Sequence, residues 1–435
     1  MKKTMLPFAL LALAAFTATG FAGPITDAEI DAALAAYKDS SAKAPRTDRE
    51  SYMKAIKEAA DAAVGKLDLS EATIDQLEKL SGPLGMSESQ KTNLSSRLGN
   101  LAAAPTAEGA RAAILQLNAT EAPTAEAVVN TFSHAGLKDA LNAGKGGSIF
   151  SNLGKGTLNF AAYDKAKLGT ALDNAFSSDM PATVVTSAAG VFDFLSDEDS
   201  AADTATIQKY RGVISSKLEK AITTNTDEKL TKRLGNLKNY INGAYAKGEL
   251  LNHEAPAVTF KWTNSESEIK SFNDLKGKVV VVDFWATWCG PCISSFPQVR
   301  DLVAEYKGYD VAVVGITSIQ GAVYFPKATE ADKKKIDCKD DPTKEISLLP
   351  QFIKDMDMTW TIAVTDQDVF NPDFGVRGIP HVAIIDPAGK VRFRGLHPAM
   401  HHDKEVEHIN ALLKEFNLPV PAAKPHAAEP AKETK

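Results

Sequence analysis

The stretch that decides the fold is Val-Val-Val-Val-Asp-Phe-Trp-Ala-Thr-Trp-Cys-Gly-Pro-Cys, residues 279–292. Its first half is a continuous run of β-branched and aromatic residues of strand length, which predicts a strand buried on both faces. The residues after it, 293–306, carry apolar side chains at helical spacing. The two cysteines are therefore predicted at a strand-to-helix junction, with Cys289 at the N-terminus of the helix.

That position indicates a redox chemistry for the two cysteines. The free N–H groups and the positive dipole end of a helix stabilise an anion, so the pKa of Cys289 is expected to be low and its thiolate to be the attacking group. Cys292 lies one turn later, close enough to close a disulfide and to resolve a mixed disulfide with a partner. The alternative is half of a zinc site, which needs two more ligands, and only Cys338 remains.

These residues resemble the thioredoxin superfamily, and most closely the exported TlpA/ResA-like thiol-disulfide oxidoreductases. The resemblance covers roughly residues 255–417, under half of the chain, and its separated motifs occur in the family's order. The matching segments are residues 255–256, 274–278, 283–292, 374–380 and 383–391.

The resemblance implies an α/β domain with a central mixed sheet flanked by helices, and it assigns catalytic roles. Cys289 and Cys292 would form the redox pair, and Pro380 matches the family's cis-proline, which helps to hold the partner's backbone. Asp283 matches a buried acid behind the cysteines. Because burial raises the pKa of a carboxyl group, Asp283 could take the proton of Cys292. The alternative is a strand-end aspartate whose hydrogen bonds are satisfied.

Further residues are predicted to contact the partner protein: Trp288, Gly290, Pro291, Ile379 and His381. Two interpretations of His381 stay open, because a histidine there either stabilises a thiolate and favours oxidant behaviour or packs within a strand. The lysine that thioredoxin places on the next strand is absent. Gln320 stands near the place where TlpA/ResA-like reductases often carry an acid. The sequence predicts no metal and no other cofactor.

Cys338 lies in an insert, between Ile316 and Trp360, that is longer than thioredoxin needs. The charges around it predict an exposed loop in which Lys333 to Lys335 and Lys339 lower the pKa of the thiol. Cys338 is then either a third redox thiol, an intermolecular bridge or incidental. Four histidines also cluster near the C-terminus, for which a solvated loop and helix start is favoured over a metal site. They are His397, His401, His402 and His408.

The composition of the chain changes near Leu250. Residues 24–248 are rich in alanine and charged residues, hold no tryptophan and show apolar residues at three- and four-residue spacing, which predicts a mostly α-helical domain. Its role is unknown; binding a protein partner is a hypothesis from the fold alone. Residues 251–418 alternate strands with helices and form the predicted thioredoxin-like domain. The proline-rich residues 419–435 are predicted to be a disordered tail.

The first residues indicate the compartment. A basic start at Lys2 and Lys3, an apolar run over residues 5–19 and small residues at Gly20 and Ala22 predict a signal peptide over residues 1–22. The protein is therefore expected to be periplasmic or otherwise extracytoplasmic. Three cysteines in such a chain do not make a disulfide scaffold. A net charge of −6 provides no electrostatic footprint for nucleic acid.

The sequence therefore predicts an extracytoplasmic thiol-disulfide oxidoreductase, and most plainly a reductase of protein disulfides. The resemblance implies client protein thiols, in some relatives during cytochrome c maturation, and a membrane electron donor. Three alternatives stay open. The first is a thiol oxidase or isomerase. The second is a peroxiredoxin-like peroxidase, which is disfavoured because no proline precedes Thr287. The third is a non-enzymatic binding or assembly protein that uses the helical domain.

Overall fold

The computed structural model describes residues 24–45, 49–155, 158–196, 202–265, 267, 269–326 and 335–422. The predicted signal peptide and most of the predicted tail lie outside these residues. The described chain divides after Ala119 into two compact units.

The first unit consists of helices and their connections. The helices are α1 (Asp27–Ala42), α2 (Arg49–Val64), α3 (Ile74–Lys79), α4 (Ser81–Met86), α5 (Lys91–Ala102) and α6 (Ala107–Ala119). Two of them begin at capping boxes, in which Thr26 pairs with Glu29 and Thr73 with Gln76. Their apolar stripes form one core of leucine, isoleucine, valine and alanine side chains.

The second unit begins with eight further helices and continues into a sheet. These helices are α7 (Ala125–Phe132), α8 (Leu137–Asn142), α9 (Lys165–Phe176), α10 (Ala182–Ala188), α11 (Gly190–Leu195), α12 (Thr204–Thr224), α13 (Glu228–Asn242) and α14 (Ala244–Lys247). Short 3₁₀ helices lie at Gly147–Asn152, Phe160–Ala162 and Phe272–Leu275.

Six strands of the second unit form a mixed sheet, and two form a separate hairpin. The strands are β1 (Phe260–Thr263), β2 (Val279–Phe284), β3 (Val311–Ser318), β4 (Ala322–Tyr324), β5 (Lys335–Asp337), β6 (Thr361–Thr365), β7 (His381–Ile385) and β8 (Val391–Leu396). The order in the sheet is β1-β6-β3-β2-β7-β8, and β4 pairs with β5. β2, β3 and β6 run parallel, while β1, β7 and β8 are antiparallel to their neighbours.

Strand β2 lies inside the sheet, and all six of its residues are buried. Because β2 and β3 are parallel, the chain must cross over between them, and it does so through α15 (Gly290–Glu305). Helix α16 (Pro342–Asp355) joins β3 to β6 through the insert, and α17 (His402–Glu415) follows β8. The end of β2 thus delivers residues 285–289 to the carboxyl edge of the parallel strands, where open α/β sheets place their sites.

Helices of the second unit pack on the segment between β6 and β7. The backbone N–H groups of Ala244 and Tyr245 donate to Asp373, at 2.9 Å to its carboxylate and 3.1 Å to its carbonyl. The Tyr245 ring is fully buried, with the Arg394 guanidinium 3.8 Å from its centroid. Arg394 in turn donates to the carbonyls of Phe374 and Gly375. The α-helical and α/β parts of this unit are therefore held together by specific contacts.

The predicted fold class is confirmed: a mostly helical N-terminal region precedes an α/β region with a mixed sheet and flanking helices. The compact units, however, divide at Ala119, and residues 120–247 lie in the same unit as the sheet. The domain limits drawn from composition, 24–248 and 251–418, stay a prediction. Composition marks where strands begin, and it carries no information on which helices pack against them.

We expect Gly375→Ala to destabilise the second unit strongly. Gly375 has a φ of +68°, and a Cβ there would lie 2.4 Å from Cδ1 of Tyr245. The left-handed backbone costs about 1–2 kcal/mol for a residue with a Cβ, and overpacking adds about 1–3 kcal/mol. Urea denaturation would measure the loss in the free energy of unfolding.

Two matched controls separate these causes. Gly277 also has a positive φ, of +93°, but open space around it, so Gly277→Ala should show only the backbone cost. Gly378 has neither a positive φ nor an atom close to an added Cβ, so the stability of Gly378→Ala should be close to that of wild type. Equal losses for Gly375→Ala and Gly277→Ala would contradict the packing against Tyr245.

Candidate redox site

Cys289 and Cys292 are joined by a disulfide, with their Cα atoms 5.3 Å apart. Cys289 is the N-cap residue of α15, and its Sγ accepts the backbone N–H of Cys292 at 3.2 Å. Pro291 lies in the first turn of the helix, where its missing N–H costs no hydrogen bond. A thiolate at Cys289 would therefore meet a helix N-terminus and a directed N–H group, and both lower a thiol pKa.

Exposed residues surround this buried disulfide. Cys289 and Cys292 are 2% and 1% exposed, while Trp288, Gly290 and Pro291 are exposed. The sequence predicts that these three residues contact the partner protein; that role stays a prediction, and all three are exposed beside the cysteines in the chain.

Asp283 lies behind the disulfide on β2 and is 2% exposed. Alternate residues of a strand share a face, and Val281 and Trp285 belong to the same core cluster as Cys292. Burial raises the pKa of Asp283 to about 7. Its Oδ1 atom has no hydrogen-bond partner among the described residues. This favours the proton-accepting interpretation over a satisfied strand-end aspartate.

The peptide bond between Ile379 and Pro380 is cis, and both residues are half-buried just before β7. His381 follows at the first position of β7 and pairs with Phe284 of β2. Its ring packs edge-on against Phe284 at 5.9 Å, and burial lowers its pKa well below the ordinary value. Phe284 and Asp283 are neighbours in the strand, so they point to opposite faces of the sheet. The structure favours the packed interpretation of His381, as a neutral ring.

A polar and aromatic cluster beside the motif could not be read from the sequence. The indole N–H of Trp288 donates to Oε1 of Gln320 at 3.0 Å, and the Trp288 ring stacks on Phe370 at 6.2 Å. The buried carboxylate of Glu345 accepts the N–H groups of Gln320 and Gly321, each at 2.7 Å. Gln320 stands where related reductases often carry an acid. Here its side chain accepts the indole N–H of Trp288 and so positions this exposed ring next to Cys289.

The prediction that Cys338 itself is exposed is wrong, although its charged neighbours Asp337 and Lys339 are exposed as expected. Cys338 is 2% exposed and belongs to the core cluster that holds Cys289 and Cys292. It directly follows the β4–β5 hairpin, and its Sγ donates to the Ile336 carbonyl at 3.6 Å. Burial raises the pKa of the Cys338 thiol rather than lowering it. Lys333 and Lys334 lie outside the described residues. The lysine-rich sequence is typical of an exposed loop, and it gives no sign that Cys338 packs into the core beside the sheet.

The four clustered histidines lie at the start and in the first turns of α17. The His397 N–H donates to Nδ1 of His401 at 3.0 Å, and the His408 ring stacks on Phe393 with 3.7 Å between centroids. Across the part of the chain that the structure describes, no group of three or more His, Cys, Asp or Glu residues is arranged to hold a metal ion. None of the described helices has the length and apolarity to cross a membrane.

Comparisons with known proteins match the same part of the chain. Residues 250–413 match the sequence model of the Redoxin family. The thiol-disulfide oxidoreductase ResA of Bacillus cereus is 28% identical over 149 residues, which are 34% of this chain and 72% of ResA. The thioredoxin-like protein YneN of Bacillus subtilis is 29% identical over 164 residues, 38% of this chain and 82% of YneN.

Solved structures match this region too. A putative thiol:disulfide interchange protein DsbE from Chlorobium tepidum is 28% identical, over 37% of this chain and 95% of that chain, with a TM-score of 0.25. Residues 250–413 thus form a Redoxin-type domain with a thioredoxin-like fold, and relatives that match this region include proteins named thiol-disulfide oxidoreductase. Within this class it is similar to ResA and YneN, and residues before 250 lie outside the family match.

We expect Cys338 to resist alkylation in the folded protein, because it is buried and its pKa is raised. In a variant with Cys289→Ser and Cys292→Ser, iodoacetamide should label Cys338 at least about tenfold more slowly in buffer than in guanidinium chloride. Mass spectrometry of timed samples measures both rates. Equal rates in the two solvents would show that Cys338 is accessible in the native state.

Proposed function

We propose that the protein is an extracytoplasmic reductase of protein disulfides that works through Cys289 and Cys292. The observation that carries this proposal is the N-cap position of Cys289, whose Sγ accepts the N–H of Cys292. A thiolate is the attacking species in disulfide exchange, and this position stabilises one. The similarity to ResA and YneN supports the reaction type.

The reaction follows from the two sulfur atoms and Asp283. In the reduced enzyme the Cys289 thiolate attacks a client disulfide, forms a mixed disulfide and releases one client sulfur as a thiolate. Cys292 then loses its proton to the Asp283 carboxylate and attacks the Cys289 sulfur. The second client sulfur leaves as a thiolate, and the enzyme disulfide is restored. A dithiol donor must afterwards return two electrons; an exported enzyme would take them from a membrane protein.

The reducing direction is preferred over the oxidase or isomerase alternative. The sequence argument for an oxidant depended on a charged His381 beside the disulfide. His381 instead packs as a neutral ring against Phe284. The motif itself matches that of thioredoxin, which lies at the reducing end of the scale. We infer that Pro380 and Ile379 hold the client backbone next to the disulfide, and that the predicted leader sends the protein out of the cytoplasm.

We expect Cys289→Ser to lower the rate of insulin disulfide reduction by about a thousandfold or more, because the nucleophile is lost. Cys292→Ser should also be inactive but should accumulate a mixed disulfide, which non-reducing electrophoresis detects. Cys338→Ser is the matched control and should keep the wild-type rate. Full activity in Cys289→Ser would refute the proposal and favour a binding protein.

We infer a role for the helical segment in this reaction from a groove beside the site. It has a volume of about 830 Å³ and runs between α10, α13 and the segment that leads to Pro380. Phe370 and Gly378 line one wall. Phe370 also stacks on Trp288, so the groove is continuous with the exposed surface at Cys289. Both Phe370 and Trp288 are large apolar side chains with about two fifths of their surface exposed.

The opposite wall is polar and comes from α13. Arg233, Asn236 and Asn239 are exposed there, and their side chains can donate to or accept from a peptide backbone. Arg377 on the near wall stacks over Tyr240 at 5.2 Å and pairs with Asp193, which fixes the groove's width. We propose that an extended client segment beside the reacting cysteine binds in this groove.

We expect Asn236→Trp to fill the groove and lower kcat/KM for a protein disulfide by about tenfold, or about 1.4 kcal/mol. The rate with a small disulfide such as cystine should not change, because it does not need the groove. Lys238→Trp, on the same helix but outside the groove, is the control. A fall for both substrates, or for neither, would contradict client binding in the groove.

A further inference from the structure

Strand β2 has one face that packs against helices, and Asp283 belongs to it. Val279, Val281 and Trp285 alternate with Asp283 along the strand and lie in one core cluster. The same cluster contains Cys289, Cys292 and Phe296 of α15 and Ile409, Leu412 and Leu413 of α17. Asp283 therefore points into the layer between the sheet and these two helices.

Glu405 enters the same layer from α17. Its neighbours along the buried stripe, at spacings of four, seven and eight residues, are Ile409, Leu412 and Leu413. An apolar side chain is expected at such a position, yet Glu405 is a carboxylic acid and only 2% exposed. Its Oε1 atom has no hydrogen-bond partner among the described residues, as is also true of Oδ1 of Asp283. A buried acid of this kind, without a bonding partner, is costly and calls for an explanation.

The two acids interact. Burial, and to a smaller extent the negative charge of Asp283, together raise the pKa of Glu405 to about 8. Two carboxylates in one apolar layer resist double ionisation, and they titrate as a pair in two steps. Between the two steps, near pH 7 to 8, the pair carries one negative charge and one proton.

The other titratable and charged groups around this pair are few. Cys289, the N-cap residue of α15, and Cys292 lie in the same core cluster as Val281 and Trp285 on either side of Asp283. The partners of Asp283 on β3 and β7 are Gly315 and Val382. On α17, His402 and His408 lie one turn on either side of Glu405, and the His408 ring is stacked on Phe393. Arg392 of β8 is paired with Asp386 and Glu415. Among the described residues, Asp283 is the one charged group that shifts the pKa of Glu405.

We propose that Glu405 is a positioning residue of the redox site, a second buried acid that keeps one proton available to Asp283 while the enzyme disulfide is reduced. This inference rests on the proposed function. A donor thiolate bonds to Cys289 Sγ, the Cys289–Cys292 bond breaks, and its electron pair goes to Cys292 Sγ. Cys292 takes the proton of Asp283, Asp283 regains one from Glu405, and Glu405 regains one from solvent. The donor's second thiol loses its proton to solvent, attacks the donor sulfur bonded to Cys289 and closes the donor disulfide, and Cys289 leaves as a thiolate.

The test compares pH profiles for reduction of the full-length protein by dithiothreitol, corrected for the fraction of thiolate in the reagent. In wild type the corrected rate should fall above pH 8, where the pair loses its second proton. In Glu405→Gln the fall should begin about one pH unit lower, so that the rate near pH 8 is several-fold below wild type. Glu407→Gln, an exposed acid on the same helix, is the control and should follow wild type. Identical profiles for wild type and Glu405→Gln would overturn the proposal.

A second measurement needs neither activity nor the Glu405 variant. Carbon-13 NMR of the carboxyl groups should show Glu405 titrating above pH 7 in wild type. In Asp283→Asn its midpoint should fall by about one unit, a tenfold change in acid dissociation constant. An unchanged midpoint would show that the acids are not coupled and would overturn the inference. The proposed function fails separately, if wild type reduces no client disulfide.

Discussion

The position of β2 inside the sheet is the constraint on which the site depends. β2 pairs with β3 on one side and β7 on the other, and helices or chain segments cover both of its faces, so none of its six side chains reaches solvent. A strand in this position ends at the carboxyl edge of the parallel strands, which is where the cysteines emerge. Its one polar side chain, Asp283, is forced into an apolar layer, and its raised pKa follows from that.

The helices before the sheet are part of this architecture. The segment that leads to Pro380 is held from outside by Asp193, Tyr240 and Tyr245, through an ion pair, a cation–π contact and backbone hydrogen bonds. The client-binding role proposed for Pro380 requires the chain before it to be fixed relative to the cysteines. Here much of that support comes from residues 120–247, which explains why they share one compact unit with the sheet.

Local patterns in the sequence predicted the strand, turn and helix of the site, but they did not predict which distant residues pack against them. The β-branched run at residues 279–282 and the Cys-Gly-Pro-Cys turn predicted a buried strand, a turn and a helix, as observed. Cys338 was misplaced because its charged neighbours have the composition of a loop, although the chain folds back there. Phe370 and Gln320 are far from Trp288 in sequence and meet it only in the folded chain.

Glu405 shows a second limit of prediction from the sequence. On a helical wheel it falls in the apolar stripe of α17, and that misfit is a signal the sequence does contain. Its meaning depends on which side chain lies across the layer. Only the sheet register shows that Asp283 is there, because the other five residues of β2 are hydrophobic and its two faces look alike in sequence.

The packing contact between Tyr245 and the segment around Gly375 has a consequence for folding during synthesis of the chain. Ala244 and Asp373 are 129 residues apart, and a ribosome synthesises the helices well before the residues that cover them. Until then Tyr240 and Tyr245 have Phe192 and each other as neighbours, but they lack Arg377, Gly375 and Arg394 on the other side. A fragment that starts near residue 250, where the family match begins, would contain the sheet but would lack the Tyr245 ring that packs against Gly375. The helices of residues 120–247 and the sheet thus complete each other's packing, although the sequence boundary between them is sharp.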